Sequence, residues 1–146
     1  MEPSLIFKIT SNLALAGWIL LLTFPKWKHT KSITTVLLST ILFGGTYTIL
    51  LAGSFGQTQG NFSSLEGVQL LFQNPAALTA GWIHYLAFDL FIGTWESADA
   101  EKLGISRWLI LPCQIGTFLF GPMGLLAYMI LRAVLRKDLA IRNPFV

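Results

Sequence analysis

Charge is scarce in this chain. Only 12% of its 146 residues are Asp, Glu, Lys or Arg, 53% are apolar, and the mean hydropathy is +0.63. A fold surrounded by water must cover itself with polar groups, so this composition excludes an ordinary soluble domain and leaves lipid as the surroundings. Cysteine is scarcer still. Cys113 stands alone, which excludes an intrachain disulfide and any metal site closed by this chain's thiolates. Inside a helix it reads as a small apolar residue. There is no internal repeat, low-complexity tract or phosphate-cradling glycine loop, and nucleotide chemistry is excluded with them. The ten Lys and Arg give a net charge of +3 but lie near the ends of apolar runs. They suit water and lipid phosphates there and form no stripe for nucleic acid. The amino-terminal run also lacks the marks of a secretory signal. Glu2 stands where a basic n-region belongs, and the run from Leu5 reaches Phe24 without a small-residue cleavage site, so it reads as a retained helix.

What the chain does have is long apolar runs, at 5–24, 33–52, 78–95 and 108–131. A bilayer core of about 30 Å needs about 20 helical residues, and backbone in lipid must satisfy its own hydrogen bonds. The expected fold is therefore all-α: one transmembrane domain over 1–146, an integral membrane bundle of about four helices. Pro25-Lys26-Trp27-Lys28 ends the first run and opens a tight basic turn, which makes helices one and two an antiparallel hairpin. Asn74-Pro75 suits a helix start, with Asn as cap and Pro at the first helical position. In the connection at 53–73, Leu65, Val68, Leu71 and Phe72 share one helical face. A short amphipathic helix lying on the membrane is expected there, with a lid folded over the bundle as the alternative. For orientation, Lys26, Lys28, Lys31, Lys102 and Arg107 oppose Lys8, Arg132, Arg136, Lys137 and Arg142 in a model of four spans. The count is a tie, so it fixes no topology.

The third run holds the residues best suited to chemistry. Asp89 is the only acid deep inside a span, and an ionised Asp there costs at least ~2.5 kcal/mol, so it should face the bundle interior, a cavity or a partner. At 100° per residue Trp82, Tyr85, Asp89 and Glu96 share a stripe, while His84 lies roughly 140° from Asp89. Asp89, His84 and Glu96 are the candidate catalytic residues: a proton donor and acceptor in a dry, aromatic-lined pocket. The competing reading of Asp89 is an interhelical hydrogen bond. Trp82, Tyr85, Phe88, Phe118 and Phe120 are candidate lining for a flat, long hydrophobic ligand such as a polyene, against the commoner role of packing and interface anchors. One His with two acids specifies no metal. In the fourth run Pro122 cannot donate to the carbonyl of Phe118, so a kink is expected near mid-membrane, where the flanking glycines also permit close helix approach.

The run Gly81-Trp82-Ile83-His84-Tyr85-Leu86-Ala87-Phe88-Asp89-Leu90-Phe91-Ile92-Gly93, the Ala98-Asp99-Ala100 turn, Leu111-Pro112-Cys113, and Phe118-Leu119-Phe120-Gly121-Pro122-Met123-Gly124-Leu125-Leu126 resemble the abscisic-acid-deficient-four-like family of plants and cyanobacteria. The compact chain is similar to the cyanobacterial-type members. The resemblance implies a four-helix membrane protein of carotenoid or xanthophyll metabolism or handling, in a thylakoid or plasma membrane. Its plant members are needed to convert violaxanthin to neoxanthin, an opening of an epoxide to an allene. An isomerase of the neoxanthin-synthase type needs an acid for the epoxide oxygen and a base for a polyene proton, and Asp89 and His84 stand on the matching motifs. A bound carotenoid, a homo-oligomer and a pigment-protein complex are the implied partners beside lipid. A non-enzymatic accessory subunit of such a photosynthetic complex is the rival reading, and a small transporter a third.

Overall fold

A computed structural model describes residues 2–54, 56 and 59–137. The described residues hold six helices and no strand: α1 (Pro3–Thr23), α2 (Thr30–Ser54), α3 (Leu65–Phe72), α4 (Pro75–Lys102), α5 (Arg107–Phe120) and α6 (Pro122–Arg136). Three of them, α1, α2 and α4, have 21, 25 and 28 residues and are long and apolar enough to cross a membrane. The chain is a membrane protein.

Local chemistry sets the ends. Pro3 starts α1, where a missing N–H is no loss. Beyond it, Trp27 N–H donates to the Phe24 carbonyl at 3.1 Å and the Thr30 hydroxyl donates to the same carbonyl at 2.6 Å, turning the chain into α2. The Asn74 side chain accepts from the N–H groups of Ala76 and Ala77 at 2.9 and 3.2 Å, with Pro75 as the first residue of α4. Within α2 the stretch Ile33–Gly44 is wound as a π-helix. The Ser39 and Thr40 hydroxyls donate five residues back, to the carbonyls of Thr34 and Thr35 at 2.7 and 2.9 Å. This wider winding holds no proline, and its one glycine, Gly44, is its last residue, so the apolar run at 33–52 gave no warning of it.

α4 is the central helix, and its partners define two ends of the bundle. Ser11 and Trp82 meet at 3.0 Å near the starts of α1 and α4. The hydroxyls of Thr34 and Thr94 meet at 2.8 Å, and Lys31 pairs with Glu101 at 2.6 Å. So α1 runs alongside α4, and α2 runs opposite to both. The Gly17 position is the pinch point: a Cβ there would lie 2.7 Å from Leu38 and 2.9 Å from Leu90. Around it Ala14, Trp18, Leu21, Phe43, Ile83 and Leu86 form the apolar core.

The expected single kinked span at 108–131 is corrected. Gly121 takes φ 54° and ψ −106° between α5 and α6, and the two short helices fold back on one another. A Cβ on Gly116 would stand 3.2 Å from the Gly124 Cα, and a Cβ on Gly124 would overlap the Thr117 amide nitrogen. At the open end of the hairpin, Arg136 donates from Nη2 to the carbonyl of Gly104 at 2.6 Å. Both arms therefore begin and finish at the Lys102 end of α4. A proline after glycine had suggested a bend; the glycines on both arms instead permit backbone-to-backbone approach. The tie in basic residues disappears with this correction. Lys26, Lys28, Lys31, Lys102, Arg107, Arg136 and Lys137 all belong to one end of the bundle, with Arg132 one turn inside it, and Lys8 lies toward the other. Arg142 lies outside the described residues.

Of the two readings of the connection before α4, the short helix itself is present. Ser64 caps α3, its hydroxyl accepting from Gly67 N–H at 3.0 Å. Phe72 presses on α4, since a Cβ on Gly81 would lie 2.8 Å from its ring. Leu65 faces outward at 69% exposure.

Candidate functional site

α4 carries two different faces, and the candidate residues divide between them. One stripe, with Trp82, Tyr85, Asp89 and Glu96, meets α1 and the α5–α6 hairpin. Trp82 stacks at 5.4 Å on Phe7 and 5.3 Å on Tyr85. The Tyr85 hydroxyl donates to the carbonyl of Phe118 at 3.1 Å, and Phe118 packs on Trp18 at 5.4 Å. Asp89 is 9% exposed and lies against the hairpin tip, where a Cβ on Gly121 would come within 3.1 Å of its Oδ1. Two turns further on, Glu96 is fully buried and accepts from the Thr117 hydroxyl at 2.8 Å. Between them Gln114 donates to the carbonyl of Gly93 at 3.0 Å. Oδ2 of Asp89 and Oε2 of Glu96 have no hydrogen-bond partner.

The polar seam continues into Asp99, which lies inside α4 and not in the turn expected at 98–100, and into Tyr128 and Arg132, whose pairing with it was not expected. Asp99 accepts from the Tyr128 hydroxyl at 2.5 Å and from Nε and Nη2 of Arg132 at 2.8 and 3.4 Å. Arg132 is 0% exposed. Tyr128 and Arg132 are four residues apart on one helical face, a spacing that was visible. Their partner 29 residues upstream was not, because a single crossing, even a kinked one, would carry them far from Asp99.

The other face of α4 turns His84 and Phe88 toward α2. The His84 ring lies 4.6 Å from Phe88 and 5.5 Å from Tyr47. His84 and Tyr47 line two cavities at once. One, of about 490 Å³, runs past Ser39, Thr40, Gly44 and Phe91. The other, of about 520 Å³, runs beneath α3 past Ser54, Asn61, Leu71 and Phe72. On α4 the lining extends from Ala77 to Phe91, about 21 Å of helix. The π-winding of α2 brings Ser39, Thr40 and Gly44 to this wall. α3 roofs one end, as a lid would.

The structure thus gathers Trp82, Tyr85, Asp89, Glu96 and Phe118 on the hairpin side, and Phe88 with His84 on the groove side. Phe120 belongs to neither; it is 60% exposed on the outside of the hairpin. Asp89 and His84 do not meet, so a single donor–acceptor pair made of these two is not assembled. Among the described residues no group of three or more His, Cys, Asp or Glu side chains is placed to hold a metal ion.

No curated protein matches the chain, and no solved structure matches it. The family model described as ABA DEFICIENT 4-like matches residues 5–128, which takes in all three long helices, the hairpin tip and Tyr128 of the buried cluster. By that match, over most of its length, the chain belongs to the ABA DEFICIENT 4-like family.

Proposed function

We propose that this protein binds a carotenoid in the groove between α2 and α4, within carotenoid or xanthophyll metabolism. The observation that carries the reading is the pair of cavities meeting at His84 and Tyr47. Together they form a long apolar trough open to the flank of the bundle, where Phe88 is 58% exposed. A rigid polyene suits such a trough, since it enters from lipid and loses little conformational freedom. Hydroxyl and amide groups stand toward its ends, Ser39 and Thr40 at one and Asn61 at the other, and would meet oxygenated end groups. Family membership supports the same ligand class.

If the bound carotenoid is isomerised, His84 and Tyr47, which line both cavities, would be the proton-handling groups. In an epoxide opening to an allene, a donor gives a proton to the epoxide oxygen as the C–O bond breaks, and a base removes a carbon-bound proton. Asp89 faces the other side of α4 and would not reach a ligand in the groove. The bundle would sit in a thylakoid or plasma membrane with its basic end toward the cytoplasm.

The test is purification from the native membrane in mild detergent, recording visible spectrum, extracted pigment and accompanying proteins together. A stoichiometric carotenoid, lost in His84→Ala and weakened in Tyr47→Phe but retained in Asp89→Asn, is expected. A chlorophyll-containing assembly without stoichiometric carotenoid would overturn this reading in favour of the accessory subunit.

A further inference from the structure

The groove makes no use of the most costly feature of the bundle, the two carboxyls buried against the hairpin. Asp89 is 9% and Glu96 0% exposed, and each has one oxygen without a partner. Unpartnered polar atoms are rare in protein interiors because each forfeits its hydration, and in membrane spans such acids mark proton or ion paths.

What could use these oxygens is limited by the packing. The Gly121 backbone is held close to Asp89, with room for a Cβ only 3.1 Å from Oδ1. Thr117 already occupies the other oxygen of Glu96, so little space remains for a ligand of any size. The titratable or charged groups on the elements that face the pair are few. α4 adds Tyr85 and Asp99, α5 adds Cys113, and α6 adds Tyr128 and Arg132, the last two committed to Asp99. The residues that α1 and the π-wound part of α2 bury, such as Thr10, Trp18, Thr34 and Phe43, do not titrate.

We infer that Asp89 and Glu96 form a proton-transfer site along the inner wall of the hairpin, with Glu96 relaying protons between Asp89 and the water at the basic end of the bundle. Glu96 is two turns nearer that end, about 10.5 Å along α4. The Thr117 hydroxyl and Gln114 amide stand in the interval, and transient water would complete the connection. In one cycle Asp89 releases its proton to a water molecule at the hairpin tip, which leaves as hydronium, and becomes a carboxylate. It then takes the proton of Glu96, and Glu96 regains one from the aqueous side, so no charge accumulates. This site is independent of the groove: it can stand or fall without the carotenoid reading.

Infrared difference spectra of the full-length protein in detergent, transferred from H2O to D2O, test the inference. The expected result is a protonated-carboxyl C=O band that Asp89→Asn removes and a second that Glu96→Gln removes. Both should shift in D2O while the protein stays folded. In Glu96→Gln the remaining Asp89 band should exchange several-fold more slowly. Should Glu96→Gln fail to fold, Glu96→Asp, which keeps the proton on a side chain one methylene shorter, should also slow the Asp89 exchange. Absence of both protonated bands from the wild type, bands that never exchange, or an Asp89 exchange rate unchanged in the Glu96 variant would each overturn the relay.

Discussion

Gly124→Ala separates the folded-back hairpin from a kinked span by the sign of its effect. In a continuous helix, Thr117 and Gly124 would lie two turns apart, and the added methyl would stabilise by about 1 kcal/mol through helix propensity alone. In the hairpin the new Cβ would overlap the Thr117 amide nitrogen, its hydroxyl and the Gly116 carbonyl carbon. Overpacking costs about 1–3 kcal/mol, and two of these three neighbours are backbone atoms that no rotamer change can move, so the upper figure applies. Set against the propensity gain, the net loss is about 2 kcal/mol, roughly a thirtyfold fall in the folding equilibrium. The assay is equilibrium unfolding in mixed micelles followed by tryptophan fluorescence, with Gly45→Ala as the control. Gly45 is also helical, but a Cβ there meets nothing within 4 Å, so its variant should match or exceed the wild type. A Gly124→Ala protein at least as stable as the wild type would refute the hairpin.

Other outcomes follow from the same packing. Asp99→Ala should destabilise by about 3–5 kcal/mol in the same unfolding assay, because it removes the buried carboxylate that the Tyr128 hydroxyl and the Arg132 guanidinium share; Lys31→Ala, which removes a pair 32% and 47% exposed, should cost less than about 1 kcal/mol. Single cysteines at Ser4 and Lys137 in a Cys113→Ser background should react with an impermeant maleimide from opposite sides of sealed vesicles, with Lys137→Cys on the cytoplasmic side; labelling from one side would reject three crossings. Ser64→Ala removes the cap of α3 and should destabilise that helix by about 1 kcal/mol, read as faster amide exchange at Gly67 and Val68 with the long helices unchanged.

Much of this architecture was legible because it depends on near-neighbour chemistry. The Asn74-Pro75 start, the Pro25 stop and the three long helices follow from caps, prolines and run length. The angular separation of His84 from Asp89 followed from helix geometry, and it is the reason the two residues serve different faces. The hairpin was illegible for a physical reason. Two apolar arms joined by Gly121-Pro122 together have the length and composition of one span, and only contact across the tip distinguishes them. With the arms read as one kinked span, the Asp99–Tyr128–Arg132 cluster could not be found and the basic residues were assigned to the wrong ends. The π-winding was hidden differently, since its sign is the five-residue spacing of Thr34 with Ser39 and Thr35 with Thr40, which ordinary helical periodicity does not weigh.

The hairpin also bears on biogenesis. Because α5 and α6 enter and leave at the same end, no described residue after Lys102 has to be translocated through the bilayer. Gln114, Thr117 and Arg132, polar groups that would resist release from the insertion machinery into lipid, need never meet acyl chains alone. They can slide in from the near side once α4 is already standing, and find Gly93, Glu96 and Asp99 waiting as their partners. Maturation would then have two stages: threading of three helices, followed by docking of a cap that only a correctly inserted α4 can accept.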